Sequence, residues 1–174
     1  MLETKLQPVH GPLAVAFGKA DLPLQQPPSR ADLEKQAAGK NSVQAWIAKQ
    51  MLEKLERGEK LPTHYPAPIA VWQFGKDLTL VGLSGEVVVD YVAMLEKALG
   101  PNRLWPVAYC NDVFGYVPSA RVLKEGGYET RGLYSGGIGL FDAKTQDVLV
   151  AKVRELAEKA GRTLPKAAPE TPRQ

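Results

Sequence analysis

Two short apolar runs separated by a three-residue turn most constrain how this chain can fold. The runs cover residues 69–74 and 78–83, and the turn between them reads Gly75-Lys76-Asp77. A turn of this length that contains glycine joins neighbouring antiparallel strands well. The pattern therefore predicts a β-hairpin near the middle of the chain.

The segment after this hairpin alternates between helical and extended patterns. Ser84-Gly85 interrupts the second strand, and a helix is predicted to begin near Glu86 and to end at Gly100-Pro101. A further strand is predicted over residues 104–110. Strand, helix and strand in this order predict an α/β fold, a mixed sheet with flanking helices, as part of a larger α/β catalytic domain.

The flanking regions add one strand and several helices. A strand is predicted over residues 13–17, and Ser29 after a Pro-Pro pair is a good helix cap, with Asp32 three residues later. Residues 39–42 are expected to divide the following helical stretch, whose apolar stripe predicts packing on a sheet rather than binding of a partner. Residues 120–139 are predicted to be irregular, and a last helix is predicted from about residue 142 to 160. The domain is expected to span residues 1–161, followed by a disordered tail at 162–174.

Composition argues against several functional classes. The 174 residues include 22 basic and 19 acidic side chains, and the basic ones are scattered, so nucleic-acid binding is not expected. No apolar run is long enough to span a membrane. The sequence after Met1 does not resemble a signal peptide, and it leaves the compartment undetermined. Cys110 is the one cysteine, which excludes an internal disulfide and favours a buried, inert thiol over a nucleophile.

Three residues near the predicted strand ends could carry chemistry. Glu86 follows a strand, where ligands collect in open α/β sheets, although an acidic residue in a helix's first turn is also simply stabilising. Tyr116 ends the loop 111–116, whose Asn and Asp are also suited to holding a turn. Tyr128 follows Gly126-Gly127, and two glycines permit positive φ angles that would leave its hydroxyl facing a cleft.

Other candidate sites are weak. His10 and His64 are the only histidines, and they lack the short spacing of metal ligands, so both are expected to be solvated. Ser84 lies in LSGE, which is not a nucleophile elbow. The SGGIG segment at residues 135–139 lacks the lysine of a phosphate-binding loop.

Four motifs, in this order and spacing, resemble the neutral/alkaline (non-lysosomal) ceramidase family: YPAPIAVWQFG, LVGLSGEVVVDY, YCNDVFGYVPS and EGGYE. The resemblance runs through nearly the whole chain. It implies hydrolysis of the amide bond of ceramide, an N-acylsphingosine, with one zinc ion. It assigns Glu86 and Tyr116 as zinc ligands and Tyr128 as the catalytic residue that polarises the substrate carbonyl. The two histidine ligands of the family belong to segments without counterpart here.

The resemblance therefore implies the C-terminal part of a ceramidase-like zinc amidohydrolase. Its partners would be ceramide or another N-acyl lipid as substrate and the missing N-terminal half of the catalytic domain, joined in one chain or assembled in trans. The chain alone is expected to bind zinc poorly and to be inactive. The alternative is a non-catalytic α/β module, derived from the same scaffold, that binds lipid or a protein partner.

Overall fold

The computed structural model describes residues 7–101, 103–131 and 138–165. Its main sheet has four strands in the order β1-β2-β3-β5, and a second sheet pairs β4 with β6. In chain order the strands are β1 (Leu13–Pro23), β2 (His64–Phe74), β3 (Leu78–Leu83), β4 (Glu86–Val87), β5 (Leu104–Val107) and β6 (Tyr116–Val117). The helices are α1 (Arg30–Ala37), α2 (Ser42–Glu56), α3 (Asp90–Leu99), α4 (Ala120–Glu125) and α5 (Thr145–Lys159).

The predicted hairpin is confirmed. β2 and β3 are antiparallel, with Phe74 opposite Leu78 and Ile69 opposite Leu83. β1 pairs with the outer edge of β2 in the antiparallel sense, whereas β5 runs parallel to β3. The parallel pair follows from the helix α3 that separates the two strands in sequence, since parallel neighbours need a crossover. The molecule is thus the predicted α/β fold with a mixed sheet.

The main core lies between one face of this sheet and two helices. Helices α3 and α5 contribute Tyr91, Leu95, Leu99, Leu149, Val153 and Leu156, and the sheet contributes Leu22, Ile69, Val71, Val81 and Leu83. Each of these side chains is at most 2% exposed. Burying a side chain of this size stabilises the fold by roughly 1.5–3 kcal/mol, so this face anchors the strands that lead to the loops described below.

The helical hairpin α1–α2 is a separate unit. Ser29 caps α1 as predicted, its hydroxyl accepting from the Asp32 N–H at 3.2 Å, and the predicted division falls between residues 38 and 41. The prediction that α2 packs on a sheet is wrong. Its buried face meets α1 and Leu61 around Leu33, Ala48 and Met51, because α1, the helix directly before it in the chain, covers this part of its surface.

Two local predictions near the site are also wrong. Glu86 does not open a helix: its N–H donates to the Gly115 carbonyl at 2.8 Å, which makes it part of β4, and α3 begins at Asp90. Acidic stabilisation of a first helical turn therefore does not explain Glu86. Residues 120–125 are helical rather than irregular, because the Ser119 hydroxyl caps them by accepting from the Val122 N–H at 3.1 Å.

The ends of other elements shift from their predicted positions. The strand predicted to reach residue 110 stops at Val107, since Tyr109 and Asn111 adopt positive φ angles that break strand pairing. Cys110 is half-buried rather than buried.

After α5, Arg162 connects the chain to the end of α3. Its guanidinium donates to the carbonyls of Leu99 and Gly100 at 3.0 and 2.9 Å. Residues 166–174 of the predicted tail, and 135–137 of the SGGIG segment, lie outside the described residues. Within the described ranges, no helix is long and apolar enough to cross a membrane.

Candidate functional site

Glu86 and Tyr116 lie side by side on two short parallel strands. They are register partners in the β4–β6 pair, and strands paired in this way lie roughly 4.8 Å apart. Register partners direct their side chains to the same side of a sheet. Both residues are half-buried. The structure therefore brings together the two residues that the sequence resemblance assigned as metal ligands.

Gly85 makes this pairing possible. Its φ is +72°, and a Cβ there would lie 2.9 Å from the Gly115 carbonyl oxygen and 2.9 Å from the Phe114 ring. The Gly85 N–H donates to the Asp112 carbonyl at 2.8 Å, and its own carbonyl accepts from the Tyr109 N–H at 3.0 Å. A larger residue would push Gly115 away and with it the strand that carries Tyr116.

Tyr128 contacts Tyr116. The two ring centroids are 5.5 Å apart, with an interplanar angle of 76°, an edge-to-face arrangement that is worth about 0.5–1.5 kcal/mol beyond area burial. The chain reaches this position through Gly126 and Gly127, whose φ angles are +76° and +120°. The Tyr128 side chain is 50% exposed, so its phenol stands at the surface beside the Glu86–Tyr116 pair.

An open cleft of about 400 Å³ lies between β4, the start of α3 and α4. Its walls include Glu86, Tyr116 and Glu129 together with the apolar Val87–Val89 segment. Within the described part of the chain, no hydrogen bond or ion pair engages the Glu86 carboxylate. A half-buried carboxylate in that position is available to bind a cation or a polar ligand.

Among the described residues that line the cleft, Arg121 is the one basic side chain, and it forms ion pairs with two of the four carboxylates there. The Arg121 guanidinium donates to both oxygens of Asp90, at 3.0 and 2.7 Å, and to Glu125 at 2.6 Å. The Ser119 hydroxyl donates to Asp90 at 2.5 Å. Hydrogen bonds from Arg121 and then from Ser119 hold the pKa of Asp90 below its ordinary value. These residues tie the start of α3 to α4 and shape the cleft wall.

A pair of contacts that we call the Tyr65–Asp112 brace lies behind the site, and the sequence did not predict it. The Tyr65 hydroxyl donates to the Asp112 carboxylate, and the Tyr65 ring packs on Phe114 with centroids 4.2 Å apart. Burial, followed by this hydrogen bond, raises the pKa of Tyr65. The sequence suits Asp112 to holding a local turn, but its side chain reaches β2 and its carbonyl accepts from the Gly85 N–H. The one signal for this contact was that both residues belong to the motifs of the resemblance.

The two histidines lie at opposite ends of the main sheet. His10 lies at the hairpin turn, where its N–H donates to Asp77 at 2.9 Å. This is the opposite end of the six-residue β3 from Glu86, roughly 17 Å away. His64 begins β2 at the nearer end, with its exposed imidazole Nδ1 3.0 Å from the Thr63 hydroxyl. Across the described residues, no group of three His, Cys, Asp or Glu could hold a metal ion.

The donors that the described residues bring to this place do not by themselves fit zinc. Catalytic zinc takes three protein ligands and structural zinc four, mostly nitrogen or sulfur. Glu86 and Tyr116 offer one carboxylate and one phenol oxygen. Among the described residues, these two oxygen donors are fewer than the three protein ligands that a catalytic zinc takes.

Comparisons with known proteins find a distant structural likeness. Neither a protein-family model nor a curated protein sequence matches this chain. The solved structures that resemble it include "Ceramidase complexed with C2", at 17% sequence identity and a TM-score of 0.47. The likeness covers 93% of this chain and 33% of that one. This chain thus spans about one third of the length of the ceramidase that it resembles.

Proposed function

We propose that this chain supplies the carboxylate and phenol groups of a hydrolase centre that cleaves the amide bond of N-acylsphingosine or a related N-acyl lipid. The observation that carries the proposal is the register pairing of Glu86 with Tyr116 at the wall of an open cleft. The four ceramidase-like motifs support it, because each of them contributes to the cleft or to the contacts behind it. The residues concerned are Tyr65, Glu86, Tyr116 and Tyr128.

The roles follow from chemistry and position. Glu86 and Tyr116 are oxygen ligands that hold zinc only after two nitrogen donors from polypeptide outside this chain join them. The Tyr128 hydroxyl, next to Tyr116, donates a hydrogen bond to the oxygen of the scissile carbonyl. Removing one donor of this kind typically raises the barrier by about 2.7–4 kcal/mol.

The surroundings of Glu86 suit an amphiphilic substrate. Val89 lines the cleft and, at 78%, is the most exposed large hydrophobic side chain of the described residues. It forms an apolar lip beside the carboxylate, and the neighbouring Val87 and Val88 join this lip to the main core. An acyl chain can lie against this lip while its amide group reaches Glu86 and Tyr128.

The test uses the protein as it assembles in its own cells. The chain is tagged at residue 174, purified with whatever it binds, and assayed with a short-chain fluorescent N-acylsphingosine. We expect hydrolysis that falls by about 100-fold or more in Tyr128→Phe and is lost in Glu86→Gln. The matched controls are Tyr109→Phe, similarly exposed at 53%, and Glu96→Gln on α3, both of which should retain the activity.

The incomplete donor set favours one competing function, a non-catalytic module that binds lipid or protein through the same cleft. That function predicts saturable binding of the N-acylsphingosine with no hydrolysis in the purified assembly. Equal activity of Tyr128→Phe and Tyr109→Phe would also count against the proposed catalytic role.

A further inference from the structure

One face of the main sheet is apolar and largely uncovered by the described residues. Register pairing aligns Val15, Trp72, Leu80 and Trp105 in a straight row across all four strands. Parallel rows on either side add Leu13, Phe74 and Leu78, and Phe17, whose register partner Ala70 is buried. Residues two apart on a strand share a face, so these rows form one continuous apolar surface, which we call the open face.

The core helices cannot cover the open face, because α3 and α5 pack on the opposite one, around Val71 and Val81. Four of its side chains are strongly exposed, namely Leu13 at 56%, Val15 at 56%, Phe17 at 60% and Trp105 at 58%. Among the described residues, the helical hairpin α1–α2 also buries its apolar side on itself rather than here.

The open face has the size of a protein interface. Two of these four side chains are aromatic, and a fully exposed aromatic side chain offers roughly 150–250 Å². With Leu13 and Val15, and at slightly more than half exposure, the four present on the order of 500 Å². That area is at the upper end of the largest apolar patch on a typical monomer. The partly exposed Trp72, Phe74, Leu78 and Leu80 bring it towards the ~800 Å² per partner that a stable interface of standard size buries.

The charges around the open face suit a second copy better than an anionic membrane. At one end β1 carries the exposed Lys19 and Asp21 on this face. At the other end Arg103 forms an ion pair with Asp77. Each end thus contains both signs, so two copies can meet without a belt of like charges, whereas binding to anionic lipid relies on a cluster of basic residues.

We infer that two copies of this chain associate through their open faces. A two-fold pairing presents the same surface on both subunits, and two sheets pack face to face about 10 Å apart. The result is a four-layer molecule, helices outside and two sheets inside, with Phe17 and Trp105 at the buried interface. This inference is independent of the proposed hydrolase centre, which lies beyond the carboxyl end of β3.

Sedimentation velocity and equilibrium at protein concentrations from 1 to 100 µM, with no substrate present, test this inference on the purified chain. We expect a mass of twice 18.9 kDa. Phe17→Glu and Trp105→Glu should each weaken association about 30-fold or more, as expected for a buried aromatic anchor. The matched control is Trp46→Glu on α2, which is similarly exposed at 50% but lies off the open face.

Circular dichroism of each variant checks that it is folded, which is expected because all three side chains are at least half exposed. A monomeric wild type over the whole range overturns the inference. So does a dimer that Phe17→Glu and Trp105→Glu leave intact, because association would then use another surface. Neither outcome bears on the hydrolysis assay, so failure of this inference is distinguishable from failure of the proposed function.

Discussion

Replacing Gly85 with alanine is the sharpest structural test of the candidate site. A left-handed backbone costs a non-glycine residue about 1–2 kcal/mol. At Gly85, with φ at +72°, the new Cβ would also lie 2.9 Å from the Gly115 carbonyl oxygen and 3.0 Å from a Val117 methyl. Overpacking of this kind costs typically 1–3 kcal/mol, so Gly85→Ala should lower the free energy of unfolding by about 2–5 kcal/mol.

Gly58 is a matched control for this substitution. Its φ is +75°, and a Cβ there meets nothing within 4 Å, so Gly58→Ala should cost only the backbone term of about 1–2 kcal/mol. Both variants are measured by urea unfolding under identical conditions. The difference between them isolates the close approach of Gly85 to β6. Equal losses would refute the argument that glycine is required for the pairing of Glu86 with Tyr116.

Three further predictions concern the braces and the metal. Tyr65→Phe leaves the half-buried Asp112 without its donor and should lower the free energy of unfolding by about 1–3 kcal/mol. The folded pKa of Tyr65 is raised above the ordinary 10.0, so the stability of the wild type should also fall as the pH rises above 10. An equal fall in the stability of Tyr65→Phe would contradict this. The pKa of Asp90 is held below 3.8, so the stability that its ion pair with Arg121 contributes should be present above that pH and lost as the pH falls below it. The free energy of unfolding of Asp90→Asn should therefore depend less steeply on pH in acid. Identical acid-unfolding profiles of the variant and the wild type would count against the ion pair. In competition with a chromophoric chelator, the isolated chain should bind no stoichiometric zinc, and tight one-to-one binding would show that the donor count is wrong.

Short-range patterns accounted for much of the fold. The hairpin β2–β3 followed from a glycine turn between apolar runs, and the start of α1 followed from Ser29 and the prolines before it. Both depend on interactions between residues close in sequence, which a single sequence displays directly. The packing of α2 could not be predicted in the same way. An apolar stripe indicates that one side of a helix is buried, but it does not indicate which element buries it.

The sequence by itself determined that the chain forms an α/β domain, and the order of its motifs singled out Glu86, Tyr116 and Tyr128. Only the tertiary structure decided how these residues meet. The register of Glu86 with Tyr116 depends on a backbone bond between Glu86 and Gly115, and the brace behind it joins Tyr65 to Asp112. Such contacts connect residues far apart in the chain, so no local pattern encodes them, and they form only when the core places both segments at the same end of β3.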